Sequence, residues 1–162
     1  MKVAVIMGSK SDLNKVEPCI EIFKLFNVET KVRCLSAHRA SKELSEFIEE
    51  CNNDGTEVII GAAGMAAALP GVIASQTVLP VVGLPLSSSN LDGLDALLSI
   101  VQMPSQVPVA TVAIDGAKNA AYLAIEILAI KYEGLHDSLV ALREQMREIA
   151  VHNNQEIMEK YK

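Results

Sequence analysis

The segment Cys34–Arg39 carries side chains that could move a proton beside a bound anion. His38 can gain and lose a proton near neutral pH. Arg39 is a permanent cation whose forked donors suit a phosphate or a carboxylate, and Ser36 adds a hydroxyl close by. A histidine buried in the core and satisfied by backbone atoms is the alternative interpretation of His38. The arginine directly beside it favours a ligand site.

The elements around this segment alternate between strands and helices. Apolar and β-branched runs predict five strands, at residues 2–7, 30–35, 57–61, 79–86 and 107–114. Helical spacing follows the first two strands and recurs at 94–101, and from about residue 117 it continues nearly to the end, with a break at Gly134. Strands that alternate with helices predict a three-layer αβα domain with a doubly wound parallel sheet. The common strand order for such a sheet is 2-1-3-4-5.

Three turns meet at one edge of a sheet with that order, because strands 1 and 3 lie on either side of the point where the winding reverses. The turns are Gly8–Asp12, Ser36–Arg39 and Ala62–Ala67. The first turn leads into a helix near Ser11 or Asp12 and could cradle an anion, although serine and aspartate at such positions often serve only as caps. In the third turn, Ala63 and Gly64 could admit a ligand close to the backbone.

Composition limits the partners of this chain. Its 162 residues are enough for one domain with a buried core. The net charge of −6 argues against a nucleic-acid groove. No apolar run is long enough to cross a bilayer and the first residues lead straight into a strand, so we expect a cytoplasmic protein with no membrane partner. The three cysteines lack metal-binding spacing, and we expect them to be buried thiols.

The C-terminal helix carries a narrow apolar seam with charged residues on its other faces. The seam consists of Leu135, Leu139, Leu142, Met146 and Ile149, at alternating intervals of four and three residues. The five-strand unit already has its helices, and the mean hydropathy of the chain is high for a soluble monomer. We therefore expect one α/β domain over residues 1–162 whose helical extension, residues 135–162, packs on a neighbouring subunit of a homo-oligomer.

Four motifs together resemble the N5-carboxyaminoimidazole ribonucleotide mutases, of the class I phosphoribosylaminoimidazole carboxylase family of purine biosynthesis. They are Met7–Asp12 (MGSKSD), Ser36–Arg39 (SAHR), Gly61–Gly71, which ends in Leu-Pro-Gly, and Ser99–Pro104 (SIVQMP). The resemblance runs from Lys2 to about Ala150. It implies a flavodoxin-like fold, a homo-octamer and an enzyme that needs neither a metal nor a nucleotide cofactor. Such an enzyme moves a carboxyl group from the exocyclic nitrogen of its ribonucleotide to C4 of the imidazole ring.

The same resemblance implies roles for individual residues. Ser36 and His38 match the positions near the reacting carboxyl and ring carbon, with His38 as the general acid and base. The positions that hold the substrate are matched by Gly8, Ser9, Ser11, Asp12, Arg39, Ala63, Gly64 and Ala66. One imidazole is chemically sufficient, because a single proton leaves C4 when the ring carbon captures carbon dioxide. A closed pocket lined by glycine and alanine would keep the carbon dioxide from escaping.

Ala68 departs from the mutase pattern, which reads Ala-Ala-His-Leu-Pro-Gly where this chain has AAALPG at residues 66–71. A related branch carboxylates aminoimidazole ribonucleotide directly with carbon dioxide and often has lysine at the position of Arg39. Direct carboxylation is therefore the alternative reaction. A flavodoxin-like binding or signalling module is the alternative from another class. Strands 1 and 3 end without the carboxylates of a phospho-receiver, and few aromatic residues are placed to hold a flavin.

Overall fold

The computed structural model describes all 162 residues and contains a five-stranded parallel sheet in the order β2-β1-β3-β4-β5. The strands are β1 (Lys2–Met7), β2 (Glu29–Cys34), β3 (Val58–Gly64), β4 (Val81–Leu86) and β5 (Ala110–Thr111). The helices are α1 (Leu13–Leu25), α2 (Ser41–Asn53), α3 (Leu69–Ala74), α4 (Leu94–Val101), α5 (Ala117–Ala129) and α6 (Glu133–Lys160). The predicted three-layer α/β class, flavodoxin-like strand order and long C-terminal helix are confirmed.

The central strands are buried because they are apolar on both faces. Residues 3–7 of β1 and all of β4 are buried, and β3 is buried up to Ala63. Two glycines explain how closely the helices cover this sheet. A Cβ at Gly61 would lie 3.1 Å from the backbone of Pro70 in α3, and a Cβ at Gly83 would lie 2.4 Å from the Ile100 side chain in α4. Glycine at these positions lets both helices pack directly on the strands.

Several element boundaries differ from the prediction. β3 extends three residues beyond the predicted end, because its pairing with β4 continues as far as Gly64 and Leu86. β5 has two residues rather than the predicted eight, and Pro108, which offers no backbone N–H, precedes its start; single hydrogen bonds from Val112 N to Gly83 O and from Asp115 N to Pro85 O continue the contact with β4. The helical break precedes Gly134, which lies in the first turn of α6.

The chain divides into two compact units, Met1–Ile125 and Glu126–Lys162. The second unit contains the end of α5 and all of α6, and within it Arg143 Nη2 donates to Glu126 Oε1 at 2.9 Å. Along the predicted seam of α6, Met146 and Ile149 are each 54% exposed. None of the helices combines the length and the apolar character that crossing a membrane requires.

Candidate active site

The strand register brings the three turns to one edge of the sheet. Met7 at the end of β1 pairs with Cys34 of β2 on one side and with Ala62 of β3 on the other. Two further backbone hydrogen bonds continue these ladders into the turns, from Leu35 N to Met7 O at 2.9 Å and from Gly8 N to Ala62 O at 3.2 Å. The predicted convergence is confirmed. The third turn begins later than predicted, because Ala62, Ala63 and Gly64 complete β3.

The first turn is organised by its own side chains. Ser9 and Asp12 form a capping box, in which Asp12 Oδ2 accepts from Ser9 N at 3.0 Å. Ser9 Oγ accepts from Ser11 N at 3.3 Å and from Ser11 Oγ at 2.8 Å. The alternative interpretation, in which serine and aspartate cap the helix, is therefore correct for Ser9 and Asp12. Ser9 Oγ only accepts in these contacts, so its own proton can still be donated to a ligand.

Burial disfavours the charge of Asp12 in this turn. Desolvation raises the pKa of the Asp12 carboxyl above its ordinary value, and this effect exceeds the opposing hydrogen bonds from Ser9 and Ser11 and the attraction of Lys15. Above the turn, a Cβ placed on Gly8 would meet only Asp12 Oδ2, at 4.0 Å. The open space over Gly8 lets a ligand reach the backbone there and contact the carboxylate.

The second turn holds Arg39 and Ser36 together. The turn is closed by a hydrogen bond from Ala40 N to Ser36 O at 2.9 Å, and Arg39 Nε donates to Ser36 Oγ at 3.4 Å. Arg39 is exposed and forms no ion pair with a carboxylate of this chain. The helix that follows, α2, begins with no side-chain cap on its first amides. The partial positive charge of its N-terminus therefore adds to that of the guanidinium.

His38 is exposed in the same turn and has no hydrogen-bond or ion-pair partner in the chain. The alternative of a core histidine satisfied by backbone atoms is therefore wrong. The imidazole is therefore open to a ligand that reaches this edge of the sheet.

The small residues in and around the third turn differ in how open they are to a ligand. A Cβ on Gly64 would lie 3.2 Å from Leu86 O in β4, so the absence of a side chain there is explained by strand packing. Ala63 is 7% exposed at the end of the strand. Ala66 is exposed, and Ala68 is half-buried at the start of α3. Of the predicted backbone contacts, Ala66 is therefore the one most open to a ligand.

A cluster of Lys15, Ser87 and Asp115 at this edge escaped sequence reasoning. Lys15 Nζ donates to Ser87 O at 2.8 Å and lies 3.3 Å from Asp115 Oδ1, while Ser87 N donates to Asp115 Oδ1 at 2.9 Å. These contacts join α1 to the segments that follow β4 and β5. No sequence signal could have found them, since the residues are 72 and 28 positions apart. The Lys15 ammonium is occupied here, which leaves Arg39 as the better anchor for an anion.

The cysteines and acidic residues form no metal centre in the structure. No group of three or more His, Cys, Asp or Glu side chains is arranged to hold an ion. Cys19 and Cys51 are buried thiols, as expected, and burial raises the pKa of Cys19 to about 12. Cys34 is exposed at the end of β2, contrary to the expectation of three buried thiols. The titratable side chains in and beside the turns that meet here are the His38 imidazole, the Asp12 carboxyl and the Cys34 thiol, and the Arg39 guanidinium follows His38 directly in the chain.

Comparison with known proteins identifies the family. The family model described as AIR carboxylase matches residues 2–149. The N5-carboxyaminoimidazole ribonucleotide mutase of Saccharolobus solfataricus is 56% identical over 146 residues, which is 90% of this chain and 92% of that protein. The mutase of Pyrococcus abyssi is 51% identical, over 90% of this chain and 84% of its own length. The crystal structure of Treponema denticola PurE superimposes with a TM-score of 0.88 at 27% identity, covering 96% of this chain and 97% of that one. The chain belongs to the AIR carboxylase family.

Proposed function

We propose that this chain is a carboxyl-transferring isomerase of purine biosynthesis, converting N5-carboxyaminoimidazole ribonucleotide to the isomer carboxylated at C4. One observation carries the proposal. An exposed, unpartnered imidazole, His38, stands beside the Arg39 guanidinium, which has no carboxylate partner, where three strand ends meet, in a chain 56% identical to a protein named for this reaction. An acid–base group next to an anion anchor is what the transfer of carbon dioxide on a phosphorylated substrate requires.

The proposed binding mode places the ribose phosphate across the first two turns. Arg39 and the N-terminus of α2 supply positive charge for the phosphate, and the Ser9 hydroxyl has a proton to donate to it. Ser11 holds the Ser9 hydroxyl in place. The Asp12 carboxylate is an acceptor and suits the ribose hydroxyls rather than the phosphate. The imidazole ring would then lie towards Ala63, Gly64 and Ala66, within reach of Ser36 and His38.

In the proposed chemistry, His38 donates one proton to the substrate and later accepts one proton from it. Protonated His38 gives its proton to the exocyclic nitrogen, the N–C bond of the carbamate breaks with its electrons remaining on nitrogen, and carbon dioxide is released. The C4–C5 enamine electrons then attack the carbon dioxide and form a C–C bond. The C4 proton leaves to the now neutral imidazole, which restores the aromatic ring and the starting form of His38. Ser36 can donate a hydrogen bond to the migrating carboxyl group.

No electron acceptor, electron donor or phosphoryl donor enters this scheme. The carboxyl carbon exchanges its bond to nitrogen for a bond to C4, and C4 exchanges its bond to hydrogen for that same bond, so the changes cancel within the substrate and there is no net oxidation or reduction. A proton returns to the residue that supplied one. We therefore expect turnover without a metal or a nucleotide cofactor. The role left to the protein is orientation and exclusion of water, so that carbon dioxide meets C4 before it diffuses away.

We also propose that the working form is a homo-oligomer in the cytoplasm, an octamer by resemblance to the family. Leu94, Leu98 and Val101 form an apolar outer face on α4 in which each side chain is about half exposed, at 51%, 49% and 48%. Exposed apolar surface of this kind is typical of a subunit contact. His38 and Arg39 are also open to solvent in the single chain. A neighbouring subunit would help to enclose them.

Direct carboxylation of aminoimidazole ribonucleotide is the second candidate reaction, and Ala68 is the observation that favours it. A turnover assay with each substrate distinguishes the two reactions. The N-carboxylated ribonucleotide is supplied without ATP, added metal or added bicarbonate. Aminoimidazole ribonucleotide is supplied with bicarbonate at low concentration. We expect fast conversion of the N-carboxylated ribonucleotide and slow carboxylation of aminoimidazole ribonucleotide. Efficient use of the second substrate and none of the first would replace the mutase proposal.

A further inference from the structure

Met65 occupies a costly backbone conformation that no packing within the chain explains. Its φ is +57°, in the left-handed region that glycine adopts freely and other residues adopt only at a cost in free energy. Its side chain is 59% exposed, so burial does not offset that cost. A strained residue with an exposed apolar side chain is a candidate for a functional role.

The surrounding backbone fixes the place of Met65 at the edge of the sheet. Gly64, the residue before it, pairs with Leu86, and a Cβ on Gly64 would lie 3.2 Å from the Leu86 carbonyl oxygen. Ala67 N donates to Met65 O at 2.9 Å, which closes the turn after β3. β3 is the middle strand, and its Ala62 is paired with the end of β1. Met65 therefore lies at the centre of the edge where the turn that carries His38 and the turn that carries Ser9 meet.

The proposed chemistry needs an apolar cover, and the predicted lining of glycine and alanine does not form a closed pocket in the single chain. Carbon dioxide is uncharged and is held by no hydrogen bond strong enough to stop its escape, so retention depends on enclosure. Ala66 and His38 are exposed in the chain, and glycine and alanine present little surface. Methionine is unbranched and adapts its shape to what it covers.

We propose that the Met65 side chain closes over the imidazole ring of the substrate and holds the released carbon dioxide next to C4. This inference rests on the proposed function. Met65 forms and breaks no bond, and its effect is on the fate of the intermediate. The left-handed backbone aims the side chain from the strand end, and the apolar surface excludes water while C4 recaptures the carbon dioxide.

The test follows labelled carbon. Unlabelled N-carboxylated ribonucleotide is converted in buffer containing ¹³C-bicarbonate and carbonic anhydrase, and the label in the C4 carboxyl of the product is measured by mass spectrometry, with an enzyme-free control for spontaneous decay. We expect little label with the wild-type enzyme and several-fold more with Met65→Ala and Met65→Gly. Met65→Leu, which keeps an apolar side chain of similar size, should stay near the wild type.

The thermal stability of the variants distinguishes this role of Met65 in holding carbon dioxide from a purely structural role. Met65→Gly relieves the left-handed strain, so its thermal midpoint should equal or exceed that of the wild type while its label incorporation rises. Alanine and glycine variants that take up no more label than the wild type would overturn the inference. So would a wild-type enzyme whose product is already equilibrated with the buffer, although the mutase reaction would then stand. No conversion by the wild type would overturn the proposed function itself.

Discussion

Asp12 accepts a hydrogen bond from the backbone N–H of Ser9 at 3.0 Å, across the turn that joins β1 to α1. The same carboxyl is partly desolvated, and its pKa is raised by that desolvation. The turn therefore keeps a carboxylate in a place where its charge is disfavoured. The charged form of such a group is less favourable in the folded protein than in water, which makes Asp12 a candidate for a role in binding beside its role in the capping box.

Asp12→Asn should lower substrate affinity without lowering stability. A raised folded-state pKa means that the charged form is less favourable in the folded protein than in the unfolded chain at pH 7, and stability rises as the pH falls through that pKa. Asparagine keeps an acceptor for Ser9 N and removes the charge. We expect a thermal midpoint at least equal to the wild type and a large rise in KM. Asp137→Asn, on exposed α6, is the matched control and should change neither. A lower midpoint with unchanged KM would contradict this assignment.

Arg39→Ala should weaken binding of the phosphorylated substrate by roughly tenfold to a hundredfold, since hydrogen bonds to charged groups contribute about 1.5–3 kcal/mol. An unphosphorylated nucleoside analogue should bind the variant and the wild type equally, because it lacks the anion. Calorimetry with the two ligands measures both effects. Arg33→Ala removes a cation from the same strand-and-turn segment, where it lies over the Phe47 ring, and should leave both affinities unchanged. Equal losses for both ligands would mean that Arg39 does not contact the phosphate.

The Lys15–Asp115 pair should stabilise the fold at neutral pH and lose its effect in acid. Burial raises the pKa of the Asp115 carboxyl, but the hydrogen bonds from Ser87 and the contact with Lys15 outweigh it, and the net pKa is lowered. A lowered pKa adds stability above the ordinary carboxyl pKa of about 3.9 and loses it as the pH falls below that value.

Asp115→Asn is the variant that isolates this charge. Asparagine tolerates the left-handed backbone of residue 115, where φ is +54°, so the turn itself is preserved. Both partners are more than a third exposed, and solvent screening limits the expected loss to about 1 kcal/mol at pH 7. Urea unfolding at pH 7 and at pH 3 should show this difference at the first pH and a smaller one at the second. A difference that persists unchanged at pH 3 would exclude the charge as its cause.

The sequence predicted the architecture and the meeting of the turns because local signals and topology rules determine both. The buried run of β1, the start of α2 near Ser41 and the alternation of elements lead directly to the strand order. The end of β3 could not be predicted in the same way. Gly64 resembles a turn residue in sequence, and only the backbone of Leu86 in the neighbouring strand shows that it belongs to the sheet.

Two features of the site depend on tertiary contacts or conformation that the sequence does not encode locally. Lys15 meets Ser87 and Asp115 only when α1, β4 and β5 are placed in three dimensions. The left-handed backbone of Met65 is also invisible in sequence, since a non-glycine residue gives no local signal for it. The residues that sequence reasoning did place, Ser36, His38 and Arg39, are contiguous in the chain and needed no such information.

The apolar seam of α6 should make a subunit contact. Ile149→Lys puts a charge on that seam, and we expect it to shift the mass measured by light scattering or native mass spectrometry towards smaller species. Val151→Lys is the matched control, because Val151 is 44% exposed and lies on a different face of the same helix. A wild-type chain that is monomeric at micromolar concentration would defeat the oligomer proposal. An Ile149 variant with the mass of the wild type would show that the contact lies elsewhere.

The rate of conversion of N5-carboxyaminoimidazole ribonucleotide by His38→Asn, measured beside its binding affinity, tests the central claim most directly. Asparagine keeps polarity at the position but cannot carry the proton. We predict a rate lower by roughly 10²–10⁴-fold, as is typical when general acid–base catalysis is lost, with substrate binding nearly unchanged. His136→Asn, a substitution of an exposed histidine on α6, should retain full activity. A His38 variant that turns over at close to the wild-type rate would contradict the account.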